Sequence, residues 1–369
     1  MYFPLQCIKY NVLIIKINKM STNKQNIKLI IDKIKGVIDL KQELYDKLYD
    51  FLETILELNE QYNTDDNTKP DNNTTTTITK HIFAPYLYTD SGNKVNLIDC
   101  YRKTKCKNYI LAFLNGKNGI ASWSTGKKYN DLYLKEEINF IKEQGGKIGI
   151  STGGAGGSEL IKTLSVKECF NTIKFLIDNY KIDLFDFDIE NGDIANDTDI
   201  HNRVELIKLL KKEYPNLFIS FTLPIDPDGF RDNGLKLINT TLLYTKIDCI
   251  NIMTMDYGSY YAPNGKTDMA KYAIKCIEKI ATQLKQHKNL KYGLTNMIGV
   301  NDVTDEIFSL DNAKELLNYS LSHDNVYLLS FWCVNRDNGN KINTEYADSK
   351  YSGIKQDLFD FTKIFNNFN

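Results

Sequence analysis

Short apolar runs alternate with amphipathic stretches of helical period through residues 81–366 of the 369-residue chain. The runs fall at 82–86, 109–113, 147–151, 184–188, 217–221, 249–253, 290–294 and 326–331, each of strand length. Between them, apolar residues recur every three or four positions over 166–180, 201–212, 268–286 and 312–321, the spacing of one buried helix face. Strands interleaved with helices predict a parallel sheet, and eight repeats predict its closure into an α/β fold of the (β/α)8 TIM-barrel type. Polar or aromatic residues gather where the runs end, at Ser151, Glu190, Thr222, Asp256, Asn296 and Trp332. Catalytic groups of such barrels sit at the carboxyl ends of the strands, so this placement points to a site there.

Upstream the pattern changes. Val37, Leu40, Leu44, Leu48, Phe51, Ile55 and Leu58 form a helical stripe, too short to demand a coiled coil and suited to a hairpin or a docked helix. Residues 61–80 are almost purely polar and read as a disordered linker. The expected organisation is a helical segment over 1–60, a linker over 61–80 and a catalytic barrel over 81–369, with self-association running through the amino-terminal helix. Lys9, Lys16 and Lys19 interrupt the apolar stretches of the first twenty residues, leaving a poorly formed secretory signal and an unread compartment. No later run is long and apolar enough to span a bilayer.

The fourth run carries the candidate chemistry. Asp186, Asp188 and Glu190 alternate with Phe185, Phe187 and Ile189, which places three carboxyl groups on one face of a strand. An exposed antiparallel strand shows the same alternation with its acids merely facing water, and the barrel context has to decide between the two. At a rise of roughly 3.3 Å per residue, neighbouring members of the trio lie about 6 to 7 Å apart at Cα. Three charges in a poorly hydrated interior repel, so at least one should keep a proton near neutrality. A protonated acid beside charged carboxylates is what general acid catalysis of glycoside cleavage requires.

These residues resemble family 18 glycoside hydrolases, the chitinases and their relatives. The family signature Asp-Gly-x-Asp-x-Asp-x-Glu matches Asp183, Asp186, Asp188 and Glu190, with Leu184 in place of Gly and Ile189 in place of the frequent Trp. Leu184 shares the acidic face one step deeper and is expected to crowd Asp186. Ser151, Gly153 and Gly154 match Ser-x-Gly-Gly, and likeness continues through 83–86, 222–224, 253–257, 297–302 and 330–332.

The resemblance implies retaining, substrate-assisted hydrolysis of β-1,4-N-acetylglucosamine linkages in chitin or chito-oligosaccharides, with no cofactor and no metal. Glu190 would act as general acid and then base, and the substrate's acetamido carbonyl would be the nucleophile. Asp188 would hold the acetamido N–H, and Asp186 would share a proton with Asp188. Asp256, Met253 and Tyr86 would contact the sugar, Trp332 would floor the subsite of the reacting ring, and Asp183, Ser151, Gly153 and Gly154 would support the motif. Met255 stands where many members carry a tyrosine for the acetamido oxygen; Tyr257, two residues on, is expected on the same face as its replacement. The two dozen residues between Asp302 and Val326 leave no room for the extra module some members insert there, which predicts a shallow cleft and endo action. An endo-β-N-acetylglucosaminidase acting on N-glycans uses the same carboxylates. The fold also hosts non-catalytic chitin-binding lectins, which typically lose the acid that Glu190 supplies.

Composition narrows the partners further. Net charge is −1 and no dense basic block stands out, so nucleic acid is not an expected partner. Seven cysteines without CxxC pairs and four histidines without ligand spacing indicate neither a zinc site nor a disulfide framework.

Overall fold

The computed structural model describes residues 81–90, 92–190, 194–261 and 268–369, all within the compact unit 78–369. The expectations for residues 1–80, including the helical stripe, the linker and the signal, lie outside the described residues. No helix among the described residues is long and apolar enough to cross a membrane.

In chain order the elements are β1 Ile82–Phe83, β2 Tyr86–Tyr88, α1 Leu97–Thr104, β3 Asn108–Ala112, β4 Leu114–Lys117, β5 Ile120–Trp123, α2 Lys135–Glu143 and β6 Lys147–Gly153. Then follow α3 Leu160–Thr163, α4 Val166–Tyr180, β7 Leu184–Asp188, α5 Asp197–Glu213, β8 Phe218–Pro224, α6 Asp232–Tyr244 and β9 Cys249–Met253. The chain closes with α7 Met269–Gln283, β10 Lys291–Met297, β11 Gly299–Val300, β12 Ile307–Phe308, α8 Leu310–Leu321, β13 Val326–Trp332 and α9 Asp360–Phe365.

The main sheet runs β1-β13-β10-β9-β8-β7-β6-β3-β2, and β1 and β2 are two halves of one strand broken at Ala84-Pro85. The first half pairs with β13 and the second with β3, both in parallel, so the sheet closes into the predicted eight-stranded barrel. Pro85 has no N–H to give a neighbour. Its carbonyl still accepts from the Ile110 amide at 3.0 Å, and the break costs the barrel little pairing.

Two aspartates stitch the amino-terminal end in the same way. Asp183, just before β7, accepts from the Ile148 amide at 2.8 Å and from Lys142 Nζ at 2.6 Å. Asp248, just before β9, accepts from the Ile219 amide at 2.8 Å and from Lys211 Nζ at 2.5 Å. Each ties its strand to the strand and helix before it. Asp183, matched to the family signature, therefore works at the end of the barrel opposite the other carboxylates.

Strand faces divide cleanly. Phe185, Phe187 and Phe221 pack edge to face outside the barrel, under the helices. Leu184 points inward with Ile110, Ala112 and Leu328. The expected crowding of Asp186 by Leu184 is relieved on the adjacent strand, where Gly149 lies in register with Leu184. A Cβ at position 149 would come within 2.8 Å of Leu184 Cδ2, so the absence of a side chain there makes the space.

The β4–β5 hairpin does not appear among the predicted repeats, although its signal was present. Asn118-Gly119 at the turn has φ values of 52° and 72°, the double positive pair that Asn-Gly adopts in a tight two-residue hairpin.

Candidate active site

Register sets the polar layers of the barrel interior. Ser151, Asp186 and Ser220 lie side by side on β6, β7 and β8, and one layer higher Gly153, Asp188, Thr222 and Asn251 do the same on β6 to β9. Four hydroxyls converge on Asp186. Tyr86 and Ser151 donate to Oδ2 at 3.0 and 2.7 Å, and Ser220 and Thr222 donate to Oδ1 at 2.5 and 2.9 Å. Burial pushes the Asp186 carboxyl upward, and the four O–H donors oppose the shift by stabilising its charged form. Asn251 completes the layer, donating to Thr222 Oγ1 at 3.0 Å and Thr295 Oγ1 at 2.7 Å.

Asp188 has a different environment. It is 5% exposed, and its Oδ1 has no hydrogen-bond partner among the described residues. Burial first, then the charges of Glu190 and Asp186, hold its carboxyl well above the ordinary aspartate range. Asp188 and Glu190 are hydrogen-bonded to each other, and burial holds both carboxyls above their ordinary ranges. Both oxygens of Asp186 accept hydroxyl donors, whereas Asp188 is hydrogen-bonded to Glu190. Glu190 is itself raised, by burial and then by the charges of Asp256 and Asp302, against its hydrogen bonds with Asp188 and the Ala155 amide.

The glycines at the carboxyl end of β6 are required by close packing. A Cβ on Gly153, at φ 108°, would meet the Asp188 carbonyl oxygen at 1.9 Å, and one on Gly154, at φ 83°, would meet the Phe113 ring at 2.6 Å. Asn115 on β4 closes over them, donating to the Gly153 carbonyl at 2.9 Å and accepting from its amide at 2.7 Å. Beneath the loop, the Glu159 carboxylate takes Arg203 Nε at 2.8 Å and Nη2 at 2.5 Å, and both residues are buried. Losing one partner of such a pair typically costs about 3 to 5 kcal/mol.

A cleft of about 1300 Å³ opens above the trio, with Asp188, Glu190, Tyr86, Met253, Met255, Asp256 and Trp332 in its lining. The β4–β5 hairpin lines one part of it, and the segment from the end of β8 at Pro224 to the first turn of α6 at Gly234 lines another. Trp332 stacks on Phe113 with centroids 5.4 Å apart and planes 18° apart, which braces one face of the indole. Cis peptide bonds occur at Ala112-Phe113 and Trp332-Cys333.

Two expected placements are corrected. Tyr257 does not line the cleft: it is 7% exposed, receives a hydrogen bond from Cys276 of α7 at 3.8 Å and lies 5.7 Å from the Tyr272 ring. β9 ends at Met253, and Asp256 adopts a left-handed φ of 52°, so the two-residue alternation that would put Tyr257 beside Met255 no longer applies. Asn296 likewise turns away and donates to Thr254 Oγ1 at 2.7 Å, while Thr295 and Met297 on the same strand face the cleft. Ser220, Asn115, Asn251 and Thr295 escaped the sequence reading. Ser220 was findable, since it stands level with Asp186 once both strands are in register.

The sequence profile described as Glycosyl hydrolases family 18 matches residues 72–325. Over 290 residues the chain is 27% identical to a protein of Escherichia coli named "Probable bifunctional chitinase/lysozyme", an alignment spanning 72% of this chain and 32% of that protein. It is also 27% identical to "Endochitinase 11" of Metarhizium anisopliae, over 70% of this chain and 53% of the relative. The chain thus spans about a third to a half of these two curated relatives. The catalytic domain of a hyperthermophilic chitinase from Pyrococcus furiosus superposes with a TM-score of 0.68 at 29% identity, covering 78% of this chain and 95% of that one. With the profile spanning more than half its length and the acidic strand inside the barrel, the chain belongs to glycoside hydrolase family 18.

Proposed function

We propose that the chain hydrolyses β-1,4-N-acetylglucosamine linkages of chitin or chito-oligosaccharides with retention of configuration, the substrate's acetamido group serving as nucleophile. The observation that carries this reading is the pairing of Asp188 with Glu190 beside an unpartnered Asp188 Oδ1. An acetamido N–H entering the cleft meets a buried acceptor. Once Asp188 accepts that N–H as a carboxylate, its charge holds the shared proton on Glu190, and substrate binding arms the acid. Glu190 then protonates the glycosidic oxygen while the acetamido oxygen attacks the anomeric carbon. The resulting oxazolinium carries positive charge beside Asp188, and Asp186 stays fixed by its hydroxyls. Glu190, now a carboxylate, takes a proton from the incoming water, which opens the ring from the face the leaving group occupied.

The open cleft and the name of the fungal relative support endo action. Met253 and Met255 offer no hydroxyl for the acetamido oxygen, so the acyl pocket relies on thioethers and Trp332 for shape. Thiazoline mimics of the oxazolinium test the mechanism: competitive inhibition is expected, and indifference to them would remove it. The product profile on chitin pentamer and on a glycoprotein separates chitinolysis from release of N-glycans. Internal cleavage of the pentamer is expected, and activity confined to the glycoprotein would transfer the reading to an endo-β-N-acetylglucosaminidase.

A further inference from the structure

Two carboxylates cross between the turn after β9 and the β11–β12 hairpin, each taking backbone amides from the other's segment. Asp256 Oδ1 accepts from the Val303 amide at 2.9 Å, and the Asp302 amide also donates to this carboxylate. In the opposite direction Glu306 Oε1 accepts from the Gly258 amide at 2.9 Å, joined by the amides of Asp256 and Tyr257. Glu306 has no exposed surface and is absent from the cleft lining, so it does not meet a ligand directly. On the far side of the hairpin the buried Arg336 donates through Nη2 to the carbonyls of Ile298 and Val300 at 2.9 and 2.5 Å. The hairpin is thereby anchored and can serve as a fixed mount for Glu306.

What it mounts is an unusual turn. Asp256 holds φ at 52°, a region that L side chains rarely adopt, and that kink sends the Asp256 side chain to the cleft and Tyr257 to the core. Successive amides of a kinked turn point toward one side and need an acceptor there. Glu306 is that acceptor.

We propose that Glu306 is a positioning residue, which by capping the amides of the 256–258 turn holds Asp256 in its left-handed conformation facing the bound sugar. The proposal rests on the reading that Asp256 contacts substrate. Glu306→Gln keeps the Oε1 acceptor, Glu306→Ala removes it, and Glu306→Asp withdraws it by one methylene.

Two readouts on the full chain decide the matter. In hydrogen exchange, Glu306→Ala should speed exchange across 254–261 while β9 stays protected, and Glu306→Gln should leave it near wild type. If the alanine variant does not fold, Glu306→Asp is expected to give the same local increase. Unchanged exchange in 254–261 overturns the proposal whether or not any sugar is cleaved. In kinetics on chitotetraose, Glu306→Ala should lower kcat/KM much as Asp256→Ala does, and the double variant should fall within about twofold of Asp256→Ala alone. Losses that multiply overturn it. A wild type inactive on every chito-oligosaccharide would remove the hydrolase reading, and the exchange experiment would still decide the role of Glu306.

Discussion

Asp186 and Asp188 stand two residues apart on one face of β7, yet four hydroxyls donate to Asp186 while Oδ1 of Asp188 meets none. The difference follows from register. Asp186 lies level with Ser151 and Ser220, whereas Asp188 lies level with Gly153, which has no side chain to offer, and with Thr222, whose hydroxyl is turned to Asp186. One carboxylate is therefore held through both oxygens, and the other keeps one buried oxygen open.

Asp188 should cost stability as pH rises. Its folded-state carboxyl is raised above the ordinary value of 3.8, so the stability it contributes is full below that value and is lost as pH climbs through the raised one. Asn cannot ionise and escapes the loss. Thermal unfolding from pH 4 to pH 8 should therefore show the melting temperature of Asp188→Asn rising relative to wild type with increasing pH. A difference independent of pH would contradict the burial assigned to Asp188.

Glu190 should remain protonated above the ordinary glutamate value of 4.5, with the charge of Asp302 among the causes. Asp302→Asn removes that charge, so Glu190 should lose its proton at lower pH. The alkaline limb of the kcat profile on chitotetraose is expected to move to lower pH. A limb that stays in place, or moves upward, would detach Asp302 from the acid.

The barrel was legible because each strand's apolar run and each helix's stripe bury a face, a demand that repeats eight times between residues 81 and 366. The acidic strand was legible for the same reason, since alternation fixes which residues share a face. Alternation failed at Tyr257 because β9 had already ended and a left-handed Asp256 reset the direction of the chain. The hydroxyls around Asp186 were harder to read. Ser220 and Tyr86 come from strands far apart in sequence, and only register brings them to one carboxylate.

Gly149 and Leu184 offer a packing test. Gly149→Ala places a methyl within 2.8 Å of Leu184 Cδ2 and should destabilise by roughly 1 to 3 kcal/mol. Adding Leu184→Ala should recover part of that loss, although Leu184→Ala alone destabilises. Chemical unfolding of the four proteins gives the coupling, and strictly additive effects would deny that the glycine makes room for the leucine.

The most direct measurement follows the anomer first released from chitotetraose by proton NMR, for wild type and Glu190→Gln side by side. Wild type should release the β-anomer first, and Glu190→Gln should turn over roughly a hundred- to ten-thousand-fold more slowly. Release of the α-anomer first, or equal turnover by the two proteins, would contradict Glu190 as the acid of a retaining, substrate-assisted hydrolysis.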